Sequence, residues 1–422
     1  MTVVGIDDSD SRTRGMCTTY VAREIADALA AEGATVDRLL LVRLNPAIEY
    51  KTRGNAALAV HTDCHPEFAF EIARDLIDDL AEVSDSNAQP GLVVAPDDPD
   101  SVPDSVADFA QQAVREQLEL DEALSLVEEA EYVSEGWSGG RGRIGALAAV
   151  GAHAAFSEWT DELIAYRESE RWGTLREIDP ESVFTAANAE YPEVWDTVDR
   201  ETGDLVCMPN TPCPILYGVR GDDPDAVRRV SEGIEGESVA SRALFRTNQG
   251  TDGHLQSGEI ETVEDSRAYR LEGVVSSAPE TRRGGHVFFE ISEGDERLPC
   301  VAFEPTKRFR SRVRALREGD RLTVCGEVSD GTLKLEKFAV RELNRIEYRN
   351  PRCPECGRSM ESAGRDQGYR CRDCRTSAEG KEEIEIKRKI ERGWYEVPPT
   401  ARRHIAKPLV RGGFDGLTHP ER

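Results

Sequence analysis

The sequence predicts a multidomain chain of α/β and α+β architecture. It starts with an α/β unit, continues through a ferredoxin-like α+β unit, and ends in an OB-fold β-barrel and a zinc ribbon. Three observations carry this expectation. At 422 residues the chain is too long for one hydrophobic core, which points to three or four domains. Its apolar pattern changes from strand–helix alternation to a mixed middle and then to five strand-like runs. Two Cys-x-x-Cys pairs follow near the C-terminus.

Charge divides the chain in the same place. The net charge is −27, yet residues 1–300 carry 25 Lys+Arg against 60 Asp+Glu, and residues 301–422 carry 28 against 20. Lys51 is the only lysine before Lys307. An acidic, lysine-poor surface suits multimolar salt, where acidic side chains keep a protein hydrated. At about 1 M salt the Debye length is about 3 Å, so an acidic body does not repel a polyanion at range. No run of about 18 apolar residues and no basic-then-apolar leader is present, and the expected location is cytoplasmic. The scattered cysteines (17, 64, 207, 213, 300 and 325) do not form a secreted disulfide pattern.

The first element is Val3-Val4, the end of a buried strand, followed by the loop Gly5-Ile6-Asp7-Asp8-Ser9-Asp10-Ser11. Val21, Ile25 and Leu29 recur every four residues and predict a helix with Gly33 at its C-cap. Three aspartates thus sit on a strand-to-helix loop, with Thr18 and Thr19 at the helix start. Loop carboxylates suit Mg²⁺ bound together with a substrate phosphate, and a helix N-terminus suits the phosphate itself. Taken alone, the motif also fits an acidic turn with a Ser/Thr cap. A second strand, 36–45, ends at Asn45-Pro46, and the basic turn Lys51-Thr52-Arg53-Gly54-Asn55 opens a third at Ala56–Val60. Lys51 and Arg53 are cationic islands in an acidic region and are expected to meet phosphate oxygens. A helix at 66–82, an apolar run at 92–95 and two helices within 104–131 follow. Gly139-Gly140-Arg141-Gly142-Arg143-Ile144-Gly145 then feeds the helix Ala146–Phe156. This is not a Walker A loop, since no Gly-Lys-Ser/Thr is present, but glycines before a helix let a backbone cradle phosphate. Three phosphate-type elements in one domain, 1–158, define an expected ATP site. Its nucleotide-facing residues are Ser9, Lys51, Arg53, Asn55, Gly140, Gly142 and Arg143.

Residues 159–256 alternate strands (163–166, 194–196, 213–221, 242–247) with two helices (180–189, 225–234), which suggests a ferredoxin-like sandwich. Runs at 269–275, 286–292, 298–303, 321–328 and 332–340, with a helical link Phe309–Arg317, predict an OB-fold at 265–343. Phe303, Arg308, Phe309, Arg310 and Arg312 are its candidates for single-stranded nucleic acid. Cys353 and Cys356, then Cys371 and Cys374 after fourteen residues, have the spacing of a four-thiolate structural Zn²⁺ site in a ribbon at 350–378. Arg352, Arg358, Arg370, Arg372 and Arg375 around the knuckles favour a nucleic-acid partner. The tail, 379–422, is expected to carry a mixed-charge helix within 381–411. Its Arg402-Arg403-His404 is either an arm docking RNA or a solvated extension.

This ordered series of motifs resembles one family, the archaeal tRNA 2-agmatinylcytidine synthetase. The matching pieces are Gly5–Asp10, Gly15–Tyr20, Arg43–Pro46, Lys51–Asn55, Gly140–Gly145, Glu162–Arg167, Cys213–Gly221, Phe245–Asp252, the OB strands and the ribbon; they span essentially the whole chain. Ser9 stands where the family commonly carries Thr, and its aromatic and asparagine positions near 195–199 are altered here. The resemblance implies an ATP-dependent ligase. Such an enzyme joins agmatine to carbon-2 of the wobble cytidine of the CAU-anticodon isoleucine tRNA, cleaves ATP to AMP, passes through a phosphorylated cytidine, and so enables AUA decoding. It also implies that Asp7, Asp8 and Asp10 are catalytic, with Asp7 and Asp8 holding Mg²⁺, and that Thr18 is autophosphorylated. Agmatine is a dication and needs carboxylates, for which Asp196, Asp199 and Asp222 are candidates. Arg308, Arg310, Arg370, Arg372, Arg402 and Arg403 would hold the tRNA. No membrane and no obligate protein partner is expected. A competing reading is a non-catalytic tRNA- or single-stranded-DNA-binding protein with a nucleotide-binding domain; another is a small-molecule kinase with a nucleic-acid module. The intact aspartate loop and basic turn argue against the first, and the complete OB-plus-ribbon tail against the second.

Overall fold

The computed structural model describes every residue except Arg12, Arg14, Glu49, Tyr50, Thr52 and Arg53. Period-two alternation builds the first half. Along β1 (Thr2–Asp7), β2 (Val36–Arg43), β3 (Ala56–Thr62) and β4 (Gly91–Ala95), Val4, Leu41, Leu58, Val60 and Leu92 face one side of a sheet. There they meet α1 (Thr18–Ala31) and α2 (Pro66–Leu80), which present Val21, Ile25 and Leu29, and Ala69, Ala73 and Ile77. Val3, Leu40, Val42, Ala57, Ala59 and Val93 face the other side. That face is covered by α3 (Asp104–Arg115), α4 (Leu120–Glu129) and α5 (Arg143–Ala155). A short edge strand, β5 (Val133–Gly136), pairs with β4; its four residues carry too little pattern to be read from sequence.

The middle of the chain adds β6 (Thr160–Arg167), α6 (Pro180–Ala189), β7 (Val194–Trp195), a two-stranded flap of β8 (Val198–Asp199) and β9 (Asp204–Leu205), β10 (Ile215–Gly221), α7 (Pro224–Gly233) and β11 (Val239–Thr247). Helices α6 and α7 bury Val183, Ala187, Val227 and Val230 against Leu163, Ala165, Tyr217 and Val219. The two expected α-and-β units share one nine-stranded sheet, in the order β5-β4-β1-β3-β2-β11-β6-β10-β7. The seam is the parallel pairing of β11 with β2, from Phe245 opposite Leu39 to Thr247 opposite Leu41.

The five runs assigned to the OB-fold form a closed ring. Beyond β12 (Leu255–Ser257), strands β13 (Ala268–Thr281), β14 (Val287–Glu293) and β15 (Glu296–Ala302) pair in sequence. After α8 (Phe309–Val313), β16 (Arg321–Ser329) and β17 (Thr332–Glu342) close it, β17 on β15 and β16 on both β17 and β13. The expected helical link is one short turn ending at Val313. A stem of β18 (Ile346–Arg349) carries the ribbon, a three-stranded sheet of β19 (Glu361–Ser362), β20 (Tyr369–Arg370) and β21 (Ser377–Ala378).

The tail corrects the expectation of a helix within 381–411. β22 (Glu382–Glu385) returns along the stem on β18, β23 (Gly393–Glu396) extends the barrel sheet beside β17, and β24 (Thr418–His419) pairs with β23. Glu383-Ile384-Glu385-Ile386 alternates with period two, and Pro398, Pro399 and Pro408 break any helix beyond it. Trp394 is buried at 1 % exposure, so this segment is part of the barrel's packing and not a free arm. Among the described residues no helix is long and apolar enough to cross a membrane.

The polar segment after β11, which periodicity does not explain, is a joint. Asn248 accepts from the Arg43 backbone N–H (2.7 Å) and donates to its carbonyl (3.0 Å). Asp252 holds the buried Lys337 ammonium at 2.7 Å through both oxygens. Beside it, Glu336 contacts His254 (3.0 Å) and Arg403 (3.1 Å). Burial alone would raise the Glu336 carboxyl, but the His254 imidazole, Arg403 and Lys337 hold it at about 2 instead of 4.5. A depressed carboxyl gives stability that is full above its unfolded value and is lost as pH falls through the folded one. Glu336→Gln is therefore expected to lower unfolding stability at pH 7 by about 3 kcal/mol. In denaturant titrations the difference from wild type should shrink below the ordinary carboxyl value of 4.5 and be gone near 2.

Candidate active site

A cavity of about 660 Å³ lies where the first two units meet the tail. Its first wall is the loop between β1 and α1. Asp7, Asp8 and Asp10 line it together with Cys17, Thr18 and Thr19 at the start of α1. The first N–H groups of a helix lack intrahelical acceptors, so this end of α1 offers donors to an anion. Asp8 sits at φ +58°, a left-handed conformation that Asp and Asn tolerate better than most residues. Its N–H donates to Asp7 Oδ1 (2.7 Å), and its own Oδ2 accepts from the Gln89 N–H (2.9 Å). Burial pushes the Asp7 carboxyl well above its ordinary value, and the Asp8 and Asp10 charges add to the effect. Asp8 is pushed up to about 7, chiefly by burial, against the lowering effect of the Gln89 N–H. The raised carboxyls of Asp7 and Asp8 fit a cation.

The glycine loop supplies the next wall. Gly142 and Gly145 line the cavity, whereas Gly140 and Arg143 do not; Arg143 Nε turns back to donate to the Gly140 carbonyl (3.0 Å). Gly145 is where α5 touches the aspartate loop: a Cβ there would lie 1.9 Å from Asp7 Oδ2. Gly145→Ala is thus expected to displace the Asp7 carboxylate and cut turnover by about 10²-fold with the fold retained, as single-turnover assays beside circular dichroism would measure.

Lys51 and Asn55 also line the cavity. Asn55 Nδ2 donates to the Asn45 carbonyl (2.7 Å) and Lys51 Nζ to the Pro46 carbonyl. Ser9 is fully buried and lies outside the lining, and Arg53 lies outside the described residues.

The far wall was not read from sequence as a site. It comprises Arg43, Glu162, Arg220 and, from the tail, Thr400 and His404. Glu162 is buried at 5 % exposure between Arg43 (3.9 Å) and Arg220 (3.4 Å), and accepts from Gln249 Nε2. Gly218 makes room for it, since a Cβ there would lie 2.6 Å from Glu162 Oε1. Arg43 also donates to Gln249 Oε1 (3.2 Å) and to His404 Nδ1 (3.0 Å). Burial, with Arg220 and Arg43 alongside, keeps the His404 imidazole neutral, well below its ordinary value. Arg43 and Glu162 lie in the motifs Arg43–Pro46 and Glu162–Arg167; the partners that make them a site are 361 residues away in the case of His404.

The candidates for agmatine are corrected by their partners. Asp196 pairs with Arg402; Asp199, fully buried, holds Arg308 (3.1 Å); Asp222 holds Arg411 (2.6 Å). None of the three lines the cavity. They tie the ferredoxin-like layer to the barrel and tail. The same pairs remove Arg308 and Arg402 from the set of available RNA contacts. Arg402 is buried between Asp196 and Glu396 (2.9 Å), and Arg308 also meets Glu421. Arg310 is paired with Glu304 (2.9 Å), Arg372 with Glu361 (2.6 Å) and Arg403 with Glu327 (2.5 Å); Arg370 is exposed on the ribbon. Of the aromatic candidates, Phe309 is core and Phe303 is 37 % exposed.

The sulfurs of Cys353, Cys356, Cys371 and Cys374 all lie within 4.8 Å of one another, and they are the group of this kind among the described residues. The Cys356–Cys371 separation is 3.6 Å, close to the about 3.8 Å that four 2.3 Å Zn–S bonds impose in a tetrahedron. The donor set fits structural zinc. The aspartates form a more open set, as suits an ion that takes one or two carboxylates and fills its shell with phosphate oxygens.

Fold and site together define an enzyme of nucleic-acid chemistry, with phosphate-handling groups in one cavity and an OB barrel and zinc ribbon on the same chain. Family models match in order: TiaS TCKD domain at 3–65 and 61–136, TiaS FLD domain at 140–254, OB-fold nucleic acid binding domain at 269–336, and TiaS C-terminal zinc ribbon domain at 350–390. The chain is 54% identical to the isoleucine-tRNA 2-agmatinylcytidine synthetase TiaS of Haloquadratum walsbyi, over 100% of both chains. It belongs to the tRNA 2-agmatinylcytidine synthetase family. A crystal structure of TiaS in complex with isoleucine tRNA and ATP superimposes with a TM-score of 0.90 at 43% identity, covering 100% of this chain and 99% of that one. A complex of TiaS with isoleucine tRNA, AMPCPP and agmatine superimposes at 0.87 and 40% identity, with coverage of 100% and 99%.

Proposed function

We propose that this chain is the ATP-dependent ligase that joins agmatine to carbon-2 of the wobble cytidine of the CAU-anticodon isoleucine tRNA. One observation carries the reading: Asp7, Asp8, Asp10, Thr18, Lys51 and Asn55, scattered over the first 55 residues, line one cavity. In this reading the start of α1 and Lys51 hold phosphate oxygens. Asp7 and Asp8 would hold Mg²⁺, which supplies neutralisation of phosphate charge during transfer. Thr18, 5 % exposed at the cavity wall, would accept phosphate on its hydroxyl in this reading. Asp196, Asp199 and Asp222 lie outside the lining, so the cavity carboxylates that a dicationic amine would meet beyond the aspartate loop are Glu116 and Glu162, each shared with arginine: Glu116 with Arg267 (3.3 Å), Glu162 with Arg43 and Arg220. Thr400 and His404 line the same space from the tail, and a base entering it would meet them there. The cytoplasm, where tRNA and ATP meet, is the location consistent with this activity.

The test is incorporation of labelled agmatine. Purified protein in molar salt with ATP, Mg²⁺ and the transcribed isoleucine tRNA is expected to release AMP and label the tRNA. ATP turnover without label in the tRNA would overturn the proposal.

A further inference from the structure

Most cations on this chain are spoken for. Of the six arginines that the sequence offers to RNA, Arg308, Arg310, Arg372, Arg402 and Arg403 each hold a carboxylate, and Arg370 is exposed on the ribbon. A hollow of about 440 Å³ lies where the barrel meets the stem of the ribbon. Arg345, Lys387 and Arg392 line it and are exposed, and among the described residues their side chains form neither an ion pair nor a hydrogen bond. Arg388 completes the lining as a fixed support. Its guanidinium is pinned by two bonds to Asp320 (2.6 and 2.7 Å) and by the Asn344 (2.7 Å) and Ala315 (2.9 Å) carbonyls. Glu391 is the one acid in the lining.

Three features make this a binding site and not a merely solvated surface. Arg345, Lys387 and Arg392 converge on one hollow against the single carboxylate of Glu391, an excess of positive charge that an anion would offset. Lysine is scarce, with eight in the chain, yet Lys381, Lys387 and Lys389 fall within nine residues around the returning β22, and Lys387 lines the hollow. In molar salt the Debye length is about 3 Å, so a diffuse basic face attracts nothing and only convergent short-range contacts hold a polyanion. The adjoining stem exposes Ile346 (42 %) and Tyr348 (59 %), apolar and aromatic surface of the kind that packs on sugars and bases.

We propose that the hollow at the barrel–stem junction is a subsite for the sugar-phosphate backbone of the RNA substrate, with Arg345, Lys387 and Arg392 as its phosphate contacts. This rests on the tRNA-ligase reading and adds a place where the tRNA is held far from the reacting base. Phosphate contacts set register and orientation, so the subsite acts on tRNA binding and not on phosphoryl transfer.

The test is the triple variant Arg345→Ala, Lys387→Ala, Arg392→Ala in the full-length, zinc-loaded protein. A charge-matched control removes Arg74, Arg228 and Arg229, exposed residues paired with carboxylates on the first two units. The triple variant is expected to raise the Kd for the transcribed isoleucine tRNA, and the KM for tRNA in agmatine ligation, about tenfold or more. The slope of log Kd against log salt should fall in magnitude by about 2 to 3. Its kcat at saturating tRNA, zinc content and thermal midpoint are expected to match wild type, and the control to bind tRNA as wild type does. An unchanged Kd and slope, or an equal loss in the control, overturns the subsite. Wild type that binds tRNA but never incorporates agmatine overturns the ligase reading instead, while direct tRNA binding still decides on the subsite.

Discussion

Asp8→Asn is expected to lower agmatine incorporation by about 10³-fold or more while leaving the protein at least as stable as wild type. The two halves of this result share one cause. Asp8 is buried among like charges, and its carboxyl is pushed up to about 7. A carboxyl raised in the folded state costs stability that builds as pH rises above its ordinary value of 3.8 and is complete above about 7, and asparagine carries no charge to desolvate. Asparagine also tolerates the left-handed φ of +58°, where alanine would add strain. The aspartate loop therefore holds a destabilising arrangement that the proposed Mg²⁺ would relieve. Thermal unfolding at pH 8 with and without Mg²⁺ measures this directly: Mg²⁺ should raise the wild-type midpoint and move the variant's little. Normal AMP formation by Asp8→Asn would remove the proposed metal role.

Cys371→Ser is the second large effect. The ribbon's core is little more than Cys353, Met360 and Cys371, far too small to fold unaided. Structural zinc in such units supplies about 10 to 16 kcal/mol of folding free energy at neutral pH. Losing one thiolate is expected to release the zinc, unfold the ribbon and weaken tRNA binding. ATP-dependent phosphorylation of Thr18 should continue, because the cavity draws none of its lining from the ribbon. Metal analysis gives the zinc content, and phosphopeptide mapping separates the two activities. Retained zinc at one per chain would overturn the four-thiolate assignment.

What the sequence made legible, and what it hid, follow the range of the interactions. The Cys-x-x-Cys pairs, the aspartate loop and the OB strands are written in neighbouring residues, and local spacing suffices to read them. Asp196, Asp199 and Asp222 looked like free carboxylates because their arginine partners lie 109 to 206 residues away. The wall built from Arg43, Glu162 and His404 was hidden for the same reason. Glycine at the start of α5 had two readings, phosphate cradle or close packing, and Gly142 against the Gly91 N–H and the Gln89 and Asp7 carbonyls, with Gly145 against Asp7 Oδ2, decides that packing is part of its role. In the tail, the mixed charges of 381–391 suggested a helix, while the two-residue alternation of Ile384 and Ile386 carried the true signal.

The return of the chain from the ribbon to the barrel, and then to the cavity, also sets a schedule. Thr400, Arg402 and His404 line the same cavity as Asp7, Asp8, Asp10 and Thr18, and the barrel and ribbon lie between them in the chain. During synthesis the cavity therefore stays open on one wall until the chain has passed the ribbon and turned back. A chain stopped at the ribbon is expected to bind tRNA without modifying it.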